Sequence, residues 1–77
     1  MLEKTYTAKD QKGKTVQHSV YDTGNSFEIH RWAETEWSKP KIVATFDYED
    51  RKGRREARQQ ALKDARSRSK EVNTKKP

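Results

Sequence analysis

The chain has 77 residues, a length that allows one domain with a thin core, because a fold this small buries only about 60% of the surface its unfolded form exposes. Apolar residues make up 29% of it and charged residues 39%, which approaches the composition of disordered chains, but two Trp, three Tyr and two Phe supply large burial per residue. The absence of cysteine excludes disulfides, thiolate metal sites and thiol nucleophiles. Since no apolar run is long enough for a signal peptide or a membrane span, we expect a cytoplasmic protein without membrane contact.

The hairpin at the start of the chain is indicated by two alternating segments. Residues 2–9 place Leu2, Tyr6 and Ala8 on one face, and the Gly-containing loop DQKGK that follows has hairpin length. Residues 15–22 alternate as well, and the TGN after them suits a tight turn because Gly and Asn tolerate positive φ. One face of this second strand is predicted to hold Val16, His18 and Val20, and the other Gln17, Ser19 and Tyr21.

Two further strands are predicted in the middle of the chain. In residues 26–34, Phe27, Ile29 and Ala33 share one side, with Arg31 as a misfit among them. Residues 41–49, which Pro40 precedes, alternate as well and are predicted to be a strand of the core. Its predicted inward side holds Ile42, Ala44, Phe46 and Tyr48.

From residue 53 the apolar period changes to that of a helix, with Gly53 as its expected cap. Small and apolar residues then fall on one arc of the helix, namely Ala57, Ala61, Leu62, Ala65, Ser69 and Val72. The predicted fold is therefore α+β, a four-stranded antiparallel meander followed by one C-terminal helix packed on the sheet (ββββα). We expect one domain over residues 1–72, a disordered basic tail at 73–77, and a helix buried against Phe27, Ile29, Ile42, Phe46 and Tyr48.

The charge is divided unevenly along this architecture. Residues 51–77 hold eleven Lys and Arg against three acidic residues, a charge of +8, which leaves −2 for the first fifty within a total of +6. Such a positive pole attracts polyanions and acidic protein surfaces at long range. The expected partner is nucleic acid (DNA or RNA) or an acidic protein surface, and a homodimer is left open.

The helical wheel places Arg55, Gln59, Lys63, Arg66 and Lys70 in a stripe opposite the alanines, which suits a run of phosphates. Further cations crowd the helix start, where they oppose the helix dipole unless an anion relieves them. The predicted nucleic-acid-binding residues are Arg51, Lys52, Arg54, Arg55, Lys63, Arg66 and Lys70. Two other interpretations stay open. A helix face that contacts only solvent has the same pattern. The cations at the helix start also have candidate ion-pair partners within the chain, namely Asp47, Glu49 and Asp50.

Aromatic side chains give a second candidate surface. Tyr21, His30 and Trp32 are predicted on the sheet face away from the helix, with Trp37 at its rim. Aromatics on a sheet are typical of base stacking, but also of protein interfaces, in which Trp often dominates the binding energy. The carboxylates Glu28, Glu34, Asp47 and Glu49 are predicted on the same side, and their charge favours a protein contact.

Residues suited to catalysis are few. His18 and His30 lack metal-ligand spacing, and a general acid or base needs a pocket that shifts its pKa, which so small an apolar content hardly builds. We expect no enzyme activity, no cofactor and no metal site.

Two resemblances concern the end of the chain. The segment GRREARQQALKDA resembles the basic, alanine-rich last helix of double-stranded-RNA-binding domains, and a strand meander that leads into a helix is similar to the arm-binding modules of tyrosine recombinases. The former family begins with a helix that residues 1–12 do not predict, and the latter normally has three strands. Both resemblances imply nucleic-acid binding.

The leading hypothesis is therefore a small non-enzymatic nucleic-acid-binding protein that contacts phosphates through its basic C-terminal helix. The alternative is an accessory or inhibitor protein of the kind that phages and plasmids encode, whose partner is a host protein. A ribosome-associated component is a third hypothesis, because it would share the basic helix and tail.

Overall fold

The computed structural model of the chain describes residues 1–35 and 39–74, with side chains described as far as Val72. These residues form four strands and then a helix, and the bounds are β1 Leu2–Lys9, β2 Thr15–Asp22, β3 Ser26–Ala33, β4 Lys41–Asp47 and α1 Arg51–Thr74. The strands build one antiparallel sheet in the order β1-β2-β3-β4, and α1 packs on one face of it. The predicted ββββα fold is confirmed.

Both tight turns contain a glycine with positive φ, Gly13 at +80° and Gly24 at +104°. In the first turn, Asp10 Oδ1 accepts hydrogen bonds from two backbone N–H groups of the loop, at 2.8 and 2.9 Å. In the second, Asn25 does not share the positive φ; its side-chain oxygen accepts a hydrogen bond of 3.0 Å from the Thr23 hydroxyl. The left-handed backbone of each turn therefore depends on glycine alone.

The core lies between the inner face of the sheet and a seam of small residues on α1. Ala61 and Ala65 are fully buried, and Ala57 and Ser69 extend the seam at intervals of four residues. Because alanine carries only a methyl group, the helix axis lies close to the strands. The seam packs against a buried cluster that contains Val20, Phe27 and Ile29.

Ile42 is the error in the predicted core. Its side chain is 56% exposed, because a bulge in β4 pairs Ile29 with Ala44 but His30 with Ile42. The extra residue, Val43, packs against the core in place of Ile42. A bulge sets two residues opposite one, so the alternation of faces changes at that point.

A second bulge has the same consequence in β1. Leu2 pairs with Tyr21 and Lys4 with Val20, which leaves Glu3 as the extra residue. Leu2 is 52% exposed on the outer face, whereas the sequence pattern placed it with Tyr6 and Ala8. Both bulges lie in edge strands, where they are most frequent.

Asp50 caps the helix, and the predicted cap, Gly53, is wrong. The Asp50 carboxylate accepts a hydrogen bond of 2.7 Å from the Gly53 N–H, and its carbonyl accepts one of 2.8 Å from the Arg54 N–H. Gly53 lies in the first turn, where an added Cβ would be 3.1 Å from Asp50 Oδ1 and 3.6 Å from Tyr48 Cβ. The small residue at position 53 therefore gives the cap and Tyr48 room.

The helix continues to Thr74, into the segment predicted as a tail, and residues 75–77 lie outside the described part. Across the described residues, no helix has the length and apolar content needed to cross a membrane.

Candidate nucleic-acid interface

The cations of α1 divide into two groups according to what their side chains contact. The first group points towards the sheet and forms ion pairs there or along the helix. Arg58 Nε donates to Glu3 at 3.1 Å, and Arg68 Nε donates to Asp64 at 2.7 Å. The charge of each of these guanidinium groups thus has a carboxylate partner within the protein, so it adds less to an external site than an unpaired cation does.

Arg54 belongs to this internally bonded group as well. Its Nη2 and Nε donate to Asp22 Oδ2 at 2.7 and 3.1 Å, and its guanidinium lies 5.4 Å from the centre of the Phe27 ring. Glu3 is a further carboxylate at 4.0 Å from Nη2. Of the predicted nucleic-acid-binding residues, Arg54 is thus the one whose ion pair ties it to the sheet.

Asp22 is the centre of this polar cluster, which joins β2, the end of β4 and the first turn of α1. The Tyr48 hydroxyl donates to its Oδ1 at 2.6 Å, and the Gly24 N–H donates to the same oxygen at 3.0 Å. The bond from Tyr48, followed by those from Gly24 and Arg54, lowers the pKa of Asp22 from 3.8 to about 2. The carboxylate therefore holds the helix start against the sheet in its ionised form.

We predict that the Asp22→Asn variant is less stable than the parent at neutral pH and less sensitive to acid. Since the folded pKa of about 2 lies below the ordinary 3.8, the ionised carboxylate contributes stability above 3.8, and this contribution is lost as the pH falls towards 2. Urea unfolding midpoints measured across that window should therefore fall more steeply for the parent than for the variant.

The control for that experiment is Asp47→Asn, which removes the same charge from an exposed carboxylate at the end of β4. It should keep the acid response of the parent. If Asp22→Asn and the control had the same profile, the polar cluster would not be a stabilising one.

The second group of cations forms the exposed surface of α1 opposite the alanine seam. We call it the basic stripe: Lys52, Arg55, Lys63, Arg66 and Lys70. All its members are exposed, and none has a carboxylate within ion-pair distance among the described residues. At 1.5 Å per residue the stripe is about 27 Å long. Arg51, also exposed, lies beside it at the first residue of the helix.

The acidic residues near the helix start do not neutralise the stripe. Within the described part of the chain, no ion pair joins Asp47, Glu49 or Asp50 to the stripe or to Arg51. Asp50 instead accepts the capping hydrogen bond. Among the cations at the helix start, Arg54 has its carboxylate partners, Asp22 and Glu3, on strands far away in sequence.

The predicted aromatic surface lies on the opposite side of the molecule. Tyr21, His30 and Trp32 share the face of the sheet that no described helix or strand covers, where the Tyr21 and His30 rings lie 4.5 Å apart between centroids. His30 Nε2 is 3.0 Å from Glu28 Oε1. Since the sheet and the helix separate this face from the basic stripe, a nucleotide bound to one cannot reach the other. Trp37, the remaining candidate, lies outside the described residues.

His18 lies in the interior and takes no part in either surface. It is 2% exposed, and its Nδ1 has no hydrogen-bond partner among the described residues. Burial, with the nearby Arg31 and Arg68, lowers its pKa. The described residues contain no group of three or more His, Asp or Glu side chains arranged to hold a metal ion.

The sequence pattern did not predict that Leu2 and Ile42 lie on the sheet face away from α1, nor that the carboxylates Glu3 and Asp22 bind the helix. Glu3 and Asp22 are polar residues near strand ends, which is the one local feature that could have indicated their role. Exposed strand ends that bind no helix carry polar residues as well.

Comparisons of the chain with protein-family models, with curated proteins and with solved structures found no match.

Proposed function

We propose that this chain is a small non-enzymatic nucleic-acid-binding protein whose basic stripe contacts the phosphate backbone. The observation that carries the proposal is the separation of the helix cations: Arg54, Arg58 and Arg68 are paired internally, and the stripe is left exposed. Exposed cations aligned on one helix face repel each other, and a polyanion removes that repulsion.

The spacing of the stripe suits a backbone rather than a single phosphate. Its members recur at about one-turn intervals, apart from the gap that Gln59 fills, and they extend over about 27 Å. A linear array of this kind contacts several phosphates at once. Such contacts position a nucleic acid without reading its sequence, so we expect little sequence preference.

The test is the salt dependence of binding, measured by fluorescence anisotropy with a labelled DNA duplex and with an RNA duplex of the same sequence. If the five stripe residues each neutralise one phosphate, the plot of log K against log salt has a slope of about −4.5 on DNA. The Arg66→Gln variant should make the slope shallower by about 1. The change Lys12→Gln, in the exposed hairpin loop, is the control and should leave the slope unchanged. Equal slopes for both variants would contradict the proposal.

The alternative function is that of an accessory or inhibitor protein with a host protein as its partner. The uncovered aromatic sheet face supports it, since Tyr and Trp are enriched in protein interfaces. This alternative makes no use of the basic stripe, whose unpaired charge is the reason we place nucleic-acid binding first.

A further inference from the structure

The centre of the sheet face that α1 does not cover is nearly uncharged, in a chain with 39% charged residues. Three successive cross-strand rows, which contain Gln17–Trp32, Ser19–His30 and Tyr21–Glu28, form its centre. Among the described residues, these rows include one carboxylate, Glu28, and no Lys or Arg. We call this surface the outer sheet face. A surface depleted of charge and enriched in aromatics has the composition of a protein interface centre.

The two bulges make this face more apolar than regular strands would. They turn Leu2 and Ile42 outwards, with 52% and 56% of each side chain exposed. Leu2 lies beside Tyr21 in β2, and Ile42 lies beside His30 in β3. Aliphatic side chains at both edges thus flank the Tyr21–His30 ring contact.

We infer that the outer sheet face is the contact between two copies of this chain, packed face to face. Electrostatics favour a second copy at this face. Two chains that each carry a net charge of +6 repel each other, and the repulsion is weakest when they approach with the basic stripes farthest apart, that is, through the outer sheet face. The centre holds one carboxylate, Glu28, which lies 3.0 Å from His30 Nε2, so few charges meet when two such faces pack together. A nucleic acid or an acidic protein would need cations, and the described residues at the centre of this face include none.

The size of the face sets the strength of the contact. Four strands about 4.8 Å apart, each contributing some 23 Å of length, give roughly 450 Å² per copy. The total of about 900 Å² lies below the standard interface and in the range of weak, reversible complexes. The dimer therefore forms in a concentration-dependent manner.

The dimer has a consequence that rests on the proposed function. Two sheets packed about 10 Å apart leave both helices on the outside, and the two stripes then point in opposite directions. One dimer can therefore hold two separate nucleic-acid segments, and the protein bridges them.

The first experiment measures the mass of the free protein by sedimentation over a range of concentrations. The parent is expected to approach twice the chain mass of 9.1 kDa as its concentration rises. Ile42→Glu places an unpaired charge in the contact and should raise the dimer Kd at least about tenfold. Ser67→Glu adds the same charge to an exposed position of α1 and should dimerise like the parent. Circular dichroism shows whether both variants are folded.

The inference is wrong if the parent stays monomeric at every concentration, or if folded Ile42→Glu dimerises as well as Ser67→Glu. The latter result would place the contact elsewhere, for instance along the open edges of β1 or β4. Thr45→Arg, in the same face of β4, provides a second charged variant with the same expected loss.

The second experiment tests bridging with one immobilised duplex and one labelled duplex in solution. The parent should retain the labelled duplex, whereas Ile42→Glu should bind each duplex singly and fail to join them. A dimer that binds no duplex at all would refute the proposed function and leave the dimer standing. A monomer that binds one duplex would refute the dimer and leave the proposed function standing.

Discussion

The double variant Arg55→Glu with Lys63→Glu is expected to lose nucleic-acid binding while its fold is retained. Both side chains are exposed and have no ion-pair partner among the described residues, so their replacement removes no internal ion pair. The two carboxylates would face phosphates in the middle of the basic stripe, and repulsion would replace attraction there. We expect affinity to fall by at least about a hundredfold at low salt, which corresponds to roughly 2.7 kcal/mol.

A matched control shows whether the loss of affinity depends on where the charge is changed or only on how much the net charge changes. Lys12→Glu with Lys14→Glu changes the net charge equally, but in the exposed loop between β1 and β2. This control should keep most of the affinity, with unchanged circular dichroism in both double variants. If both variants lost binding to the same extent, general attraction to the positive protein, and not the stripe, would explain the affinity.

The change Ala61→Glu is expected to unfold the domain. Ala61 is fully buried in the alanine seam, and its methyl group is part of the cluster that contains Phe27 and Ile29. A glutamate there overfills the contact, which costs roughly 2 kcal/mol, and buries a charge without a partner, which costs roughly 4 kcal/mol, so the combined effect is about 6 kcal/mol. Since a small domain has only about 5 kcal/mol of stability, most of the population should be unfolded at room temperature.

The measurement is thermal melting followed by circular dichroism, and the control is Gln60→Glu. That residue neighbours Ala61 on the same helix but is exposed, so the same charge meets water. The control should melt close to the parent. A cooperative transition at the parent temperature for Ala61→Glu would contradict the packing of α1 through its alanines.

The sorting of residues on α1 was predictable because it depends on local geometry alone. The 3.6-residue period places Ala57, Ala61 and Ala65 on one arc and Lys63 on the opposite one, whatever the helix packs against. The period of two in β2 and β3 likewise assigned Val20, Phe27 and Ile29 to the covered face. In regular helices and strands, each short segment therefore shows by its own periodicity which of its residues face the core.

The role of Arg54 could not be predicted in the same way. Its ion pair with Asp22 joins residues 32 positions apart, and the pair between Arg58 and Glu3 joins residues 55 apart. Such partners meet only once the strands are paired and the helix is packed. The local sequence instead suggested Asp47, Glu49 and Asp50, which are close along the chain and form no ion pair among the described residues.

The exposed positions of Leu2 and Ile42 were also beyond the sequence pattern. A bulge depends on how an edge strand fits the register of its neighbour, and neither Glu3 nor Val43 differs in type from an ordinary strand residue. Strict alternation therefore placed Ile42 in the core and Leu2 on the same face as Tyr6 and Ala8. The outer sheet face, and with it the proposed dimer, follows from this difference.

By itself the sequence determined the order of the elements, the faces of the regular strands and helix, and the concentration of positive charge after residue 50. These properties follow from periodicity and composition, which each segment carries independently. Only the tertiary structure decided which cations of α1 are paired and which remain exposed, and which apolar residues face outwards. Both outcomes depend on contacts between segments distant in sequence, because pairing register and ion-pair partners arise when those segments meet.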